Sequence, residues 1–235
     1  MAKPWAFFVF FSMGLAGLAS IMTVYYGPGA NGSGVAELIG VMNGINYPGV
    51  FGLPTFLTKV LGVVFAVVGG LTVGKEGPMA HIGANIGVFT AYLPFKDFDY
   101  LRNDVNKRLL IAAGTSAGVS AAFGAPIGGT LFAYEMSKPN TFWRFQTIWK
   151  VFFTCALAVF SLAMFSNIWG LFKKDHSGLL DINSSALKFG TVNVVAPTLR
   201  VIPAALIVGA ICGVMGGIFV IVNNWMGFFR KFYIK

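Results

Sequence analysis

Apolar residues come in two kinds of run along this chain. Three runs are long and unbroken: Trp5 to Tyr25, Val151 to Phe172 and Val201 to Val222. Each holds about the 20 residues that a helix needs to cross a hydrocarbon core, so each predicts a spanning helix. Between Gly27 and Met136 the apolar sequence comes instead in pieces of roughly 10 to 18 residues, short for a full crossing. Gly27-Pro28-Gly29, Gly32-Ser33-Gly34, Gly74 to Pro78 and Gly124-Ala125-Pro126 interrupt them. Such punctuation ends helices, and the region predicts broken or re-entrant ones. The first run follows Lys3 and superficially resembles a signal peptide. It continues to Tyr25 without a convincing cleavage site, and a retained helix is the expectation.

Composition fixes the class. Hydrophobic residues make up 56% of the chain and charged ones 11%, with a mean hydropathy of +0.75, a balance that excludes a soluble domain of this size. The expected fold is all-α, polytopic and in contact with membrane lipid. Thirty glycines suit close helix packing. A net charge of +9 would suggest nucleic acid in a soluble protein, but here the cations sit at the ends of apolar runs. Positive-inside topology accounts for them, and no nucleic-acid partner is expected. Lys96, Arg102, Lys107 and Arg108 fall in one polar connection, Lys138, Arg144 and Lys150 in the next, and Arg230, Lys231 and Lys235 at the end. With all three groups cytoplasmic, Leu109 to Tyr134 forms a membrane hairpin. Lys173 to Arg200 is then a luminal or extracellular loop, in which Asn183-Ser184-Ser185 is a glycosylation sequon. Cys155 and Cys212 lie in apolar spans without partners at metal-ligand spacing, so packing is their expected role.

Irregular backbone at membrane depth is tolerated only where protein or a polar cavity surrounds it, because an amide left unpaired in lipid costs several kcal/mol. The breaks therefore imply a pathway or binding site. Interrupted helices leave N-terminal amides unpaired, and the helix dipole adds a partial positive charge there. Two such ends converging hold an anion without a full cation, weakly enough to release it. Ser33 fits that site as a hydroxyl donor, and equally fits an ordinary N-cap. Glu76 follows a run, Val60 to Val73, that carries no charge, and a carboxylate so placed is a functional candidate. Lys75 offers it a structural alternative as an ion-pair partner.

The same residues carry a resemblance. Gly32-Ser33-Gly34-Val35-Ala36-Glu37 is similar to the GSGIPE segment of the CLC family of chloride channels and chloride/proton exchangers. Gly74 to Pro78 matches that family's G(K/R)EGP segment, and Ala121 to Gly129 matches its AAFxAPxGG segment, in the same order and spacing. The resemblance covers about residues 5 to 233. Around Val68 to His81 it is most like the endosomal and lysosomal branch. It implies a homodimer whose subunits each carry an anion pathway built from inverted repeats. About residues 5–167 would be the first repeat, 168–199 a loop and 200–235 the start of the second. Chloride is the implied transported ion, with no cofactor and no metal. Ser33 would donate to the central chloride, within an anion site formed by Gly32, Ser33, Gly34, Gly74, Lys75, Gly77 and Pro78. Glu76 would be the gate, occupying the outer anion site when charged and leaving it when protonated or displaced.

Two departures qualify what is carried over. Exchangers of the family have two adjacent glutamates after the AAFxAPxGG helix, the second an inner proton acceptor, where this chain reads Glu135-Met136. Met136 carries no proton, which favours a passive channel. An alignment shifted by one residue makes Glu135 the acceptor and restores the exchanger. Ala36 replaces the family's usual proline. The rest of the family's second membrane half and its cytoplasmic nucleotide-binding domains have no counterpart before Lys235, so the sequence reads as a fragment, a truncated gene model or one piece of a split protein, and would not conduct alone. The rival to a transport protein is a non-conducting CLC-like half serving as an assembly partner. His81 reads first as a packing imidazole, with tuning of Glu76 second, and Gly69-Gly70 and Gly213 to Gly217 as sites of close approach or kinking. No nucleophile–base pair, metal cluster or phosphate loop is present in the pattern, and an enzyme is not expected.

Overall fold

The computed structural model describes residues 2–94, 96–137, 143–172 and 201–233, and every long element among them is an α-helix. In chain order these are α1 (Ala2–Tyr25), α2 (Val35–Met42), α3 (Leu53–Val68), α4 (Glu76–Ala91), α5 (Asp104–Phe123), α6 (Pro126–Met136), α7 (Phe145–Phe172) and α8 (Val201–Tyr233). Short 3-10 turns at Pro28–Ala30 and Lys96–Arg102 lie between them. The chain forms two compact units, Met1–Leu187 and Lys188–Lys235. The second contributes α8, an uninterrupted helix whose glycines have open space around them.

The first unit is organised on α4 and α5, which pack antiparallel with their backbones in contact. Gly83 lies on the carbonyl of Gly114 and Gly114 on that of Gly83, while Gly87 faces Leu110 and Gly118 faces Met79. A Cβ at any of the four glycines would enter the opposite backbone, so glycines four apart on each helix set the approach. Around this seam lies an apolar core of Leu38 and Met42 from α2, Ala80 and Ala84 from α4, and Ile111 and Ala112 from α5. Helices α6 and α7 pack on α5, and α1 packs on α3, where Gly69 lies against Ser12 and Leu15. Asn103 caps α5 by accepting from the Val105 amide at 3.4 Å.

Three of the helices are long and apolar enough to cross a membrane: Trp5–Tyr25, Phe145–Ser166 and Val201–Tyr233. All three helices run past their expected spans at one end, and α1 begins at Ala2 rather than Trp5 and takes in Lys3. α7 starts at Phe145 rather than Val151 and takes in Lys150, and α8 continues past Val222 to Tyr233 through Arg230 and Lys231. Hydropathy marks the part of a helix that meets hydrocarbon, whereas hydrogen bonding and caps mark its ends, so charged turns extend beyond the apolar core. For the same reason Lys107 and Arg108 lie in the first turns of α5 rather than in a connection. The expected hairpin is present: α5 ends at Gly124, whose φ of 66° turns the chain, and Gly129 of α6 backs onto Ser116 and Ser120. Asn183, His176, Lys173, Lys174 and Lys188 lie outside the described residues.

Candidate site where two interrupted helices meet

Two breaks in the backbone come together at one point. Gly32-Ser33-Gly34 leads into α2 through positive φ angles at Gly32 (63°) and Gly34 (81°), a conformation that glycine adopts without strain. Gly74 leads into α4, whose first residue is Glu76. A methyl group added at Gly77 would lie 2.7 Å from Ser33 Cβ and 3.5 Å from Val35 Cγ2, so the N-terminal turn of α4 rests directly on the entrance to α2. Helix-terminal amides of both elements are therefore concentrated around Ser33.

Ser33 makes a local bond in addition: its Oγ accepts from the Val35 amide at 3.3 Å. This spends a lone pair and leaves the hydroxyl proton free to donate, so the capping and anion-donor readings of Ser33 are compatible. Glu76 folds back over Gly74, where a Cβ would meet its Oε2, and is half-buried, as is Lys75. Gly34 is buried against the His81 ring. A cavity of about 810 Å³ opens beside this junction, between α1, α3 and the two glycine loops. Gly32, Ser33, Gly74 and Pro78 line it, whereas Gly34, Lys75, Glu76 and Gly77 do not.

The irregular backbone is held by polar side chains that the sequence pattern did not single out. On α3, Thr55, Thr58 and Lys59 are all buried on one face. Thr55 Oγ1 donates to the Gly49 carbonyl at 2.8 Å, and Thr58 sits against Gly27. Lys59 Nζ donates to the carbonyls of Ala30 at 2.8 Å and Gly32 at 2.9 Å. On α4, His81 Nε2 is 3.1 Å from the Val50 carbonyl, and Asn85 Oδ1 accepts from the Gly52 amide at 3.2 Å. His81 is fully buried and edge-on to Phe51, the packing arrangement expected of it. A signal for Lys59 was available: a lone cation in an apolar segment, one and four residues beyond two threonines, forms a polar helix face.

Glu135 lies apart from this junction, on an exposed face in the last turn of α6. Its neighbour Met136 packs against the apolar core, and its carbonyl accepts from Asn43 Nδ2 at 3.3 Å. Among the described residues no three His, Cys, Asp or Glu come together.

Residues 15–235 match the family model described as voltage gated chloride channel. The chain belongs to the CLC family. It is 37% identical over 227 residues to H(+)/Cl(-) exchange transporter 7 of Homo sapiens, covering 92% of this chain and 27% of that protein. Chloride channel protein D of Dictyostelium discoideum is 35% identical across 96% of this chain and 22% of its own length. Chloride channel protein CLC-a of Arabidopsis thaliana is 33% identical across 88% of this chain and 27% of its own. The chain thus spans about a quarter of the length of the curated relatives it matches. One of these relatives is named an exchange transporter and the other two are named chloride channel proteins.

Proposed function

We propose that the protein to which this chain belongs carries chloride across a membrane through a site between α2 and α4, with exchange against protons as the first reading. The observation that carries it is the contact between Gly77 and Ser33, which joins two helix N-termini beside a cavity and beside Glu76. Such a junction attracts an anion by partial charges and by the Ser33 hydroxyl, and it attracts the Glu76 carboxylate for the same reason. Two negative groups cannot share it. Chloride arrival and loss of charge at Glu76 are thereby linked, which is the physical requirement for a proton-sensitive gate and for coupling.

Glu135 and Met136 bear on coupling. The apolar Met136 is core packing, so an inner proton relay on α6 falls to Glu135. A homodimer in an endosomal or lysosomal membrane is the accompanying assembly and location. The test is simultaneous measurement of chloride and proton movement in liposomes carrying the protein as its gene encodes it. Exchange predicts uphill proton movement driven by a chloride gradient, abolished in Glu135→Gln. Chloride flux without proton movement establishes the channel reading. No flux of either ion leaves the assembly-partner reading in its place.

A further inference from the structure

Lys59 is a full positive charge in an apolar helix and is 4% exposed, yet the anion site reasoned above needs no cation. Its burial is costly unless the ammonium is well bonded. The two described bonds go to backbone carbonyls of the loop that enters α2, Ala30 and Gly32, and the second of these residues adjoins Ser33. Peptide dipoles have two ends, and this matters for an anion. A loop that presents amides and a hydroxyl to an anion must dispose of its carbonyl oxygens, because an oxygen turned toward the cavity repels the same ion. Lys59 lines that cavity together with Asn31, Gly32 and Ser33. Its position therefore serves the loop and the site at once.

We infer that Lys59 is a positioning residue for the anion site: its ammonium draws the Ala30 and Gly32 carbonyls onto α3 and so leaves Ser33 and the α2 amides to the anion. On the same buried face, Thr58 sits against Gly27 and Thr55 lies beside Gly29 of that loop. Glu37 in the first turn of α2 and His81 of α4 are the other ionisable groups near it. His81 is already engaged with Val50, and the loop carbonyls take two of the three lysine protons. This inference rests on the proposed anion site but concerns how that site is shaped.

The test compares the parent with Lys59→Met, which keeps the stem and removes the donors, and Lys59→Arg, which keeps charge and donors. Chloride binding is titrated calorimetrically in detergent, and backbone hydrogen exchange is followed at the same time. In Lys59→Met, chloride affinity should fall about tenfold, the scale of one or two charge-assisted hydrogen bonds. Amides from Asn31 to Val35 should exchange faster while those of α4 and α5 keep their protection. Lys59→Arg should recover most of both. Weakened binding with unchanged exchange at 31–35 would make the lysine a direct charge on the anion and overturn the positioning role, as would parental behaviour in Lys59→Met. Equal loss of protection throughout α4 and α5 in both variants would reduce Lys59 to general folding and overturn it too. A parent that binds no chloride counts against the proposed function, and the exchange pattern still decides whether Lys59 holds the loop.

Discussion

Glycine does opposite work in two adjacent regions of this molecule. Along the α4–α5 seam, Gly83, Gly87, Gly114 and Gly118 sit in regular helix and are valued for having no side chain, so two backbones touch. At the junction of α2 and α4, Gly32 and Gly34 are valued for their positive φ, and the backbone there is irregular. The seam satisfies its amides within each helix and needs only shape. The junction cannot: Lys59 holds the Ala30 and Gly32 carbonyls of its entry loop, while Thr55, His81 and Asn85 hold Gly49, Val50 and Gly52 in the connection from α2 to α3. Rigid packing thus stands one helix face away from an exposed polar loop, and α4 belongs to both: its middle forms the seam and its first turn forms the site.

If that division is right, substitutions should separate stability from anion handling. The largest effect is expected at the seam. Gly114→Val places side-chain atoms inside the Gly83 carbonyl and should cost at least about 1–3 kcal/mol, read as lost thermal stability in detergent, with anion affinity unchanged in the folded remainder. Next comes Gly34→Ala, where a φ of 81° and the His81 ring both oppose a Cβ. It should cost about 1–3 kcal/mol locally, raise chloride half-saturation and barely move the unfolding midpoint of α4 and α5. Gly77→Ala presses on Ser33 alone and should weaken chloride binding while leaving thermal stability near the parent's. The smallest effect on the fold is expected for Ser33→Ala, which removes one hydroxyl donor and should weaken chloride binding about tenfold, the low end for a hydrogen bond to a charged group. A seam variant that changes chloride affinity as much as Gly34→Ala does would erase the distinction.

Much of this was legible in the chain because membrane burial writes strong signals. Three long apolar runs gave three helices long and apolar enough to span, and the glycine and proline breaks gave the short helices α2, α4 and α6. Helix ends were less legible where Lys150 or Arg230 continued a helix beyond its apolar part, since polarity does not interrupt backbone hydrogen bonding. The glycine breaks also marked Ser33 and Glu76 as standing at the starts of helices. The scaffolding of their junction was not legible, because Lys59 hides among apolar neighbours and its partners are carbonyls, which no side-chain pattern reveals. Coupling is not legible from Met136 alone. One side chain at one position spoke for a channel, whereas the relatives include one named an exchange transporter and others named chloride channel proteins.

The central claim is that Glu76 and chloride compete for the place where α2 and α4 begin. Chloride titration of the parent and of Glu76→Gln across a range of pH tests it most directly. In the parent, binding should strengthen as pH falls, because protonation removes the competing charge. Glu76→Gln should bind tightly at every pH. Parental pH dependence persisting in Glu76→Gln, or chloride affinity unaltered by the substitution at neutral pH, would contradict it.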